Sequence, residues 1–184
     1  MTDLSKPLSI ALISAAATTL AWLIVPSLPH AFDRARDLAA TVAESWIRST
    51  LIVFCCSLAI CIIPSLIYGV PVPLVHDEFA YLLQGDTFAR GRLANPPHEM
   101  SEFFETFHII QHPTYAAKFP IGQGVALALG FRLGLPILGV WVSIALSCVA
   151  IQWAFRAFVS PQLALLGALL CALHPLIAWW SQSY

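Results

Sequence analysis

VHDEFAYLLQGDTFARGRLANPPHEMSEFFETFHIIQHPTYAAKFPIGQG, residues 75–124, is the one long polar stretch in a chain that is otherwise mostly apolar. It holds four of the six histidines (His76, His98, His108, His112) and six of the ten acidic residues. Its aromatic side chains, among them Phe79, Tyr81, Phe103, Phe107, Tyr115 and Phe119, argue against a disordered linker, which is poor in such residues. A loop of this length between apolar helices is usually either functional or disordered, and the aromatic content favours the first. The stretch is therefore read as the working part of a membrane protein, with the apolar runs around it as anchor and walls.

Composition agrees. Hydrophobic residues make up 59% and charged residues 10%, with mean hydropathy +0.79, whereas about 25% of a soluble domain is charged. A net charge of −1 provides no basic field for nucleic acid. The five cysteines (Cys55, Cys56, Cys61, Cys148, Cys171) all fall in apolar runs and lack the spacing of a zinc site or a disulfide framework.

The polar stretch divides the chain. Before it, residues 8–25 form an apolar run just long enough to cross a bilayer, read as an uncleaved span rather than a signal peptide. Residues 31–48 place Phe32, Ala35, Ala39, Val42, Ala43 and Trp46 on one helical face and Arg34, Asp37, Thr41 and Arg48 on the other. This is the pattern of a helix lying in the interface, and its arginines put it on the cytoplasmic side. Residues 49–69 are the clearest span, kinked at Pro64 and stopped by Pro71 and Pro73, which delivers loop 70–120 to the extracytoplasmic side.

Within the loop, helices are expected at 76–91 and 102–110. Residues 121–135 are apolar but too short to span, and are read as a re-entrant or interfacial dip. Spans follow at 137–159 and 163–180, with Arg156 favouring a cytoplasmic turn between them. His174, inside the last span, is either a functional intramembrane group or a neutral imidazole satisfied within a bundle. The expected fold is an all-α membrane protein with about four transmembrane helices. Residues 1–48 form an N-terminal span and interfacial helix, and 49–184 a membrane domain that looks like the first portion of something longer.

Three features of the loop carry chemistry. Asp77 and Glu78 follow a span directly, where low dielectric perturbs carboxylates toward general-base duty; alternatively they only stabilise a helix start. Lys118 opens the Gly-rich dip at headgroup depth, suited to a lipid-linked phosphate or to ordinary snorkelling. His108 and His112 stand at i,i+4 and would share a metal if their segment were helical, although Pro113 disfavours helix there.

Asp77-Glu78 with Tyr81 after a core span, then Lys118-Phe119-Pro120 opening the next apolar segment, resembles the GT-C superfamily of polytopic glycosyltransferases. The likeness is to the protein O-mannosyltransferase and lipid A aminoarabinose transferase group, and it covers residues 49–184. The resemblance implies that Asp77 is the catalytic base or acceptor-orienting group. It also implies that Lys118 contacts the donor phosphate, and that the sugar arrives on a polyprenyl phosphate and is transferred with inversion. Glu78, Tyr81, Gln84, His108, His112 and Tyr115 are then expected to shape the substrate pocket.

No cofactor is required on this reading, although a divalent metal on His108 and His112 stays open. The expected partners are a lipid-linked sugar donor, membrane lipid, and the missing C-terminal helices or a partner subunit; nucleic acid is not among them. The expected location is the inner membrane of a bacterium. Two rival readings are a catalytically inactive membrane fragment or subunit, and a His-rich metal-handling membrane protein.

Overall fold

The computed structural model describes residues 29–184 and, before them, 14–15 and 17–19. Most of the expected span at 8–25 lies outside the described residues. Helix α1 covers Pro29–Glu44 and α2 covers Trp46–Tyr68. Ser45 separates them: its backbone is extended, and its side chain accepts from the Arg48 N–H at 3.4 Å, capping α2. The amphipathic segment expected at 31–48 is thus cut in two, and Trp46 to Arg48 begin the long helix.

Along α2 the buried residues are Ser49, Val53, Ser57, Cys61 and Ser65, one every four positions. That spacing draws a single seam of mostly small side chains, which lets neighbouring helices approach closely. Leu51, Ile63, Leu66 and Ile67 face outward.

Helix α3 covers His76–Ala89, close to expectation. The helix expected at 102–110 is absent. Ser101–Phe103 make one 3-10 turn, and β1 (Ile109–Ile110) pairs antiparallel with β2 (Ala116–Ala117). Two successive β-branched residues favour the extended state over helix. Asn95 and Tyr115 extend the pairing through N–H···O bonds of 2.9 and 2.8 Å.

Helix α4 covers Ile121–Arg132, α5 Ile137–Arg156, α6 Pro161–Ala172 and α7 Pro175–Trp180. The continuous span expected at 163–180 is therefore broken. Pro175 has no N–H to donate and pushes the residue before it out of helical conformation; His174 is extended, and its Nδ1 accepts from the Leu176 N–H at 3.3 Å. At 12 residues, α6 is about 18 Å long, short of the hydrocarbon thickness. Among the described residues two helices, α2 and α5, are long and apolar enough to cross a membrane.

Helix α5 packs on α2, α4 and α6, and α4 packs on α3. One core lies at the α1 end: Ala43, Val53, Cys148, Val149, Leu165, Ala168 and Ala172. The other lies beneath the polar loop, where Cys61, Leu127, Ile137, Val140 and Trp141 meet Tyr81, Phe131 and Tyr184.

Pro64 leaves α2 one backbone donor short. The carbonyl of Cys61, three residues before it, accepts from Gln182 Nε2 at 3.0 Å and Ser181 Oγ at 3.4 Å. The carbonyl that Pro64 itself leaves without a helical donor is that of Ile60, four residues before it; the two bonds to Cys61 instead tie the next carbonyl along the helix to the segment after α7.

Candidate functional site

The second core holds up the start of α3, and there the two adjacent carboxylates diverge. Glu78 turns inward and is 6% exposed. Its Oε2 accepts from the N–H groups of Leu74 (2.7 Å) and Val75 (3.2 Å), and its Oε1 from Ser183 Oγ (2.7 Å) and the Tyr184 N–H (3.0 Å). Burial pushes the Glu78 carboxyl up. The donors from Leu74, Ser183, Tyr184 and Val75 outweigh it, and the group sits below the usual glutamate range. With both oxygens fully engaged, this carboxylate holds structure together and has no lone pair free for substrate.

Asp77 turns outward. Its Oδ1 lies 2.9 Å from His108 Nε2, with the aspartate side chain 55% and the histidine 34% exposed. The imidazole stacks on Phe119 (centroids 5.1 Å apart, 20° between planes), and Phe119 stacks on Tyr81 (4.3 Å, 19°). Three rings, Tyr81 on α3, His108 just before β1 and Phe119 between β2 and α4, therefore form one ladder that fixes the histidine facing Asp77.

Lys118 adjoins His108 through the backbone. Its N–H donates to the His108 carbonyl at 2.9 Å, and its Nζ donates to the Phe107 carbonyl at 2.9 Å. An ammonium has three donors, so two remain for a ligand. Lys118 opens on a cleft of about 800 Å³ together with His76, Glu105, Phe107, Gln111 and His112. His112 is held there by a 3.0 Å hydrogen bond between its Nε2 and Ser101 Oγ.

Gln84 is buried, and its Nε2 donates to the Phe119 carbonyl at 3.0 Å. Gly124 makes room for it, since a Cβ there would collide with the Gln84 side chain. Arg132 closes the other end of α3 by donating from Nε to the Ala89 carbonyl at 3.1 Å. Tyr115 lines a second cleft, of about 620 Å³.

Of the residues singled out from sequence, Asp77, Tyr81 and His108 come together through the ion pair and the ring ladder, while Lys118 and His112 line the first cleft, which none of those three lines. Glu78 and Gln84 lie behind the pair and the ladder as supports, and Tyr115 stands to one side. The i,i+4 histidines do not share a helix: His108 pairs with Asp77 and His112 with Ser101. Among the described residues no group of three or more His, Cys, Asp or Glu side chains is placed to hold a metal ion.

Sequence reasoning left Phe119 and Gln111 out of the site. Phe119 was legible as the middle residue of Lys118-Phe119-Pro120; nothing local marks Gln111. No family model matches the chain, and neither a curated protein nor a solved structure matches it.

Proposed function

We propose that the protein belongs to a membrane glycosyltransferase of the GT-C type, moving a sugar from a polyprenyl-phosphate carrier to an acceptor hydroxyl with inversion. On this reading the chain is multi-pass in a bacterial inner membrane, with α2 and α5 among its spans and the broken pair α6 and α7 together taking the place of the last of the four expected, and loop 70–120 lies outside the cytoplasm. The observation that supports it is an outward-facing carboxylate, Asp77, paired with His108, and a lysine whose backbone N–H bonds the His108 carbonyl while its ammonium opens on the cleft alongside. Asp77 is oriented by the histidine, and Lys118 opens on the adjoining cleft.

The chemistry is a single displacement. Asp77 accepts the acceptor's hydroxyl proton as that oxygen bonds to the sugar's anomeric carbon. The bond from that carbon to the phosphate oxygen breaks, and the electron pair leaves on the phosphate. The free donors of Lys118 stabilise the growing negative charge, an effect that is largest where water is excluded. The ring ladder and His112 wall the site, while Glu78 and Gln84 hold its floor.

Asp77→Asn is the test, read as transfer of radiolabelled sugar from polyprenyl phosphate in membranes containing the full gene product. Transfer is expected to be lost while the protein stays in the membrane. Unchanged transfer removes the assigned base and with it this reading.

A further inference from the structure

The second cleft lies outside the site just described. Its wall is mostly apolar, made by Pro96, Pro97, Met100, Phe104 and Tyr115, with His98 edge-on to Phe104 and with Glu99 and Gln111 also lining it. Gln111 also lines the first cleft. It is 7% exposed, its Nε2 donates to the Phe104 carbonyl at 2.6 Å, and its Oε1 has no hydrogen-bond partner. The bond to Phe104 commits the amide nitrogen and so fixes which end is the acceptor. A buried carbonyl oxygen without a donor is uncommon in a folded protein.

Between the two clefts runs a tongue, residues 99–107. Met100, Phe103, Phe104 and Phe107 are exposed on it. Interleaved with them are Glu99, Glu102 and Glu105, also exposed. Among the described residues none of these three carboxylates has a cation within ion-pair distance (the pairs present are Arg36 with Asp33 and Asp37, Arg90 with Asp86, and His108 with Asp77).

We propose that this tongue and the second cleft dock an extended polypeptide segment carrying lysine or arginine on either side of one large apolar residue. Each part of the surface meets one part of that occupant. The Pro, Met and aromatic wall takes the apolar side chain. The orphaned Gln111 Oε1, covered in the empty cleft, takes a backbone N–H once the seated segment displaces the side chains over it. The three carboxylates take the basic side chains and steer the encounter.

A lipid surface fits less well. Carboxylates spaced between the aromatics resist immersion in hydrocarbon, and anionic headgroups repel them. The proposal goes beyond the transferase reading and does not rest on it, since docking requires neither Asp77 nor a sugar donor.

The experiment is fluorescence anisotropy with the purified full chain in detergent micelles and in phosphatidylcholine nanodiscs. The probes are fluorescein-labelled, amidated Gly-Lys-Gly-Phe-Gly-Lys-Gly and the same peptide with glutamate replacing both lysines. The lysine peptide is expected to bind about tenfold tighter than the glutamate peptide, and more weakly as salt rises. Gln111→Leu is expected to weaken it about tenfold by removing the buried acceptor.

Because a buried substitution can unfold the loop, the exposed pair Glu99→Gln with Glu102→Gln provides the deciding variant. It should lower affinity for the lysine peptide and flatten the salt dependence. Equal affinity for the two peptides, no binding of either, or indifference to the glutamate substitutions overturns the proposal. So does binding in micelles that vanishes in nanodiscs, which would show the tongue immersed in lipid.

Discussion

The backbone N–H of Tyr184 donates to Glu78 Oε1 at 3.0 Å, joining residues 106 positions apart. Ser183 Oγ reaches the same oxygen, and the Tyr184 hydroxyl donates to the Pro71 carbonyl at 3.0 Å. The other carboxylate oxygen caps the start of α3. One buried anion thus ties the helix bearing Asp77 to the strap that follows α7, and the placement of Asp77 depends on it.

Glu78→Gln is expected to destabilise the fold by about 2–3 kcal/mol, because an amide nitrogen would face N–H donors where an acceptor stood. The pH dependence has a definite sign. The folded carboxyl titrates below its unfolded value of about 4.3. Its contribution is therefore complete above that pH and is lost as pH falls through the folded value. Thermal unfolding in detergent between neutral pH and the acid range below about 4 should show the wild type converging on Glu78→Gln. A gap that stays constant or widens toward acid would contradict the burial of this anion.

Asp77→Asn should behave otherwise. Its pair with His108 is half-exposed, and such pairs contribute no more than about 1 kcal/mol. The variant is expected to melt within a few degrees of wild type, so that loss of sugar transfer would report on chemistry and not on folding. A large drop in melting temperature would mean that Asp77 is structural.

Two glycines give a matched comparison. A Cβ at Gly139 would run into the backbone of Ala126 and Leu127, where α5 crosses α4, whereas a Cβ at Gly122 meets nothing within 4 Å. Gly139→Ala is expected to cost about 1–3 kcal/mol by overpacking. Gly122→Ala should be neutral, or stabilising by up to about 1 kcal/mol through helix propensity. Equal effects in unfolding measurements would remove the close crossing.

The proposed orientation is checked by labelling intact cells with a membrane-impermeant maleimide after the five native cysteines are replaced. Glu102→Cys, on the exposed tongue, should react directly. Ser160→Cys, in the turn between α5 and α6, should react only after permeabilisation. The opposite pattern would put the loop on the cytoplasmic side, where a lipid-linked sugar of the proposed kind does not arrive.

What could be read from sequence was whatever depends on local apolar pattern. The 49–69 run, the helix after His76 and the shortness of the 121–135 segment all follow from hydropathy and from Pro and Gly positions, and the structure has α2, α3 and α4 there. Two boundaries were misplaced because a single residue outweighed the pattern: Ser45 as a cap and Pro175 as a break. At the site, the pairing of Asp77 with His108 and the inward turn of Glu78 were illegible, since both depend on partners 31 and 105–106 positions away. An acidic dipeptide states that two carboxylates are adjacent; only packing decides which is buried.

Arg156 is the corresponding lock at the other end of the molecule. Its Nη1 donates to the Ala43 carbonyl at 2.9 Å and to Ser49 Oγ at 3.0 Å, and its guanidinium lies 4.8 Å from the centroid of the Trp46 ring. Trp46 stacks on Trp153, whose Nε1 donates to Thr50 Oγ1 at 3.1 Å. The guanidinium thus closes the end of α1 while joining α2 to α5. Lysine keeps the charge but has neither a planar fork nor a face to stack. Arg156→Lys is expected to lose about 1–2 kcal/mol, from one hydrogen bond and the cation–π contact. Arg156→Ala should lose more, because the buried hydroxyl of Ser49 and the Ala43 carbonyl both lose their donor. The two losses are read from thermal unfolding in detergent, with tryptophan fluorescence following the Trp46–Trp153 stack. If Arg156→Lys matched wild type in both, the charge alone would suffice, and the three-way contact would not be what holds α1 to the bundle.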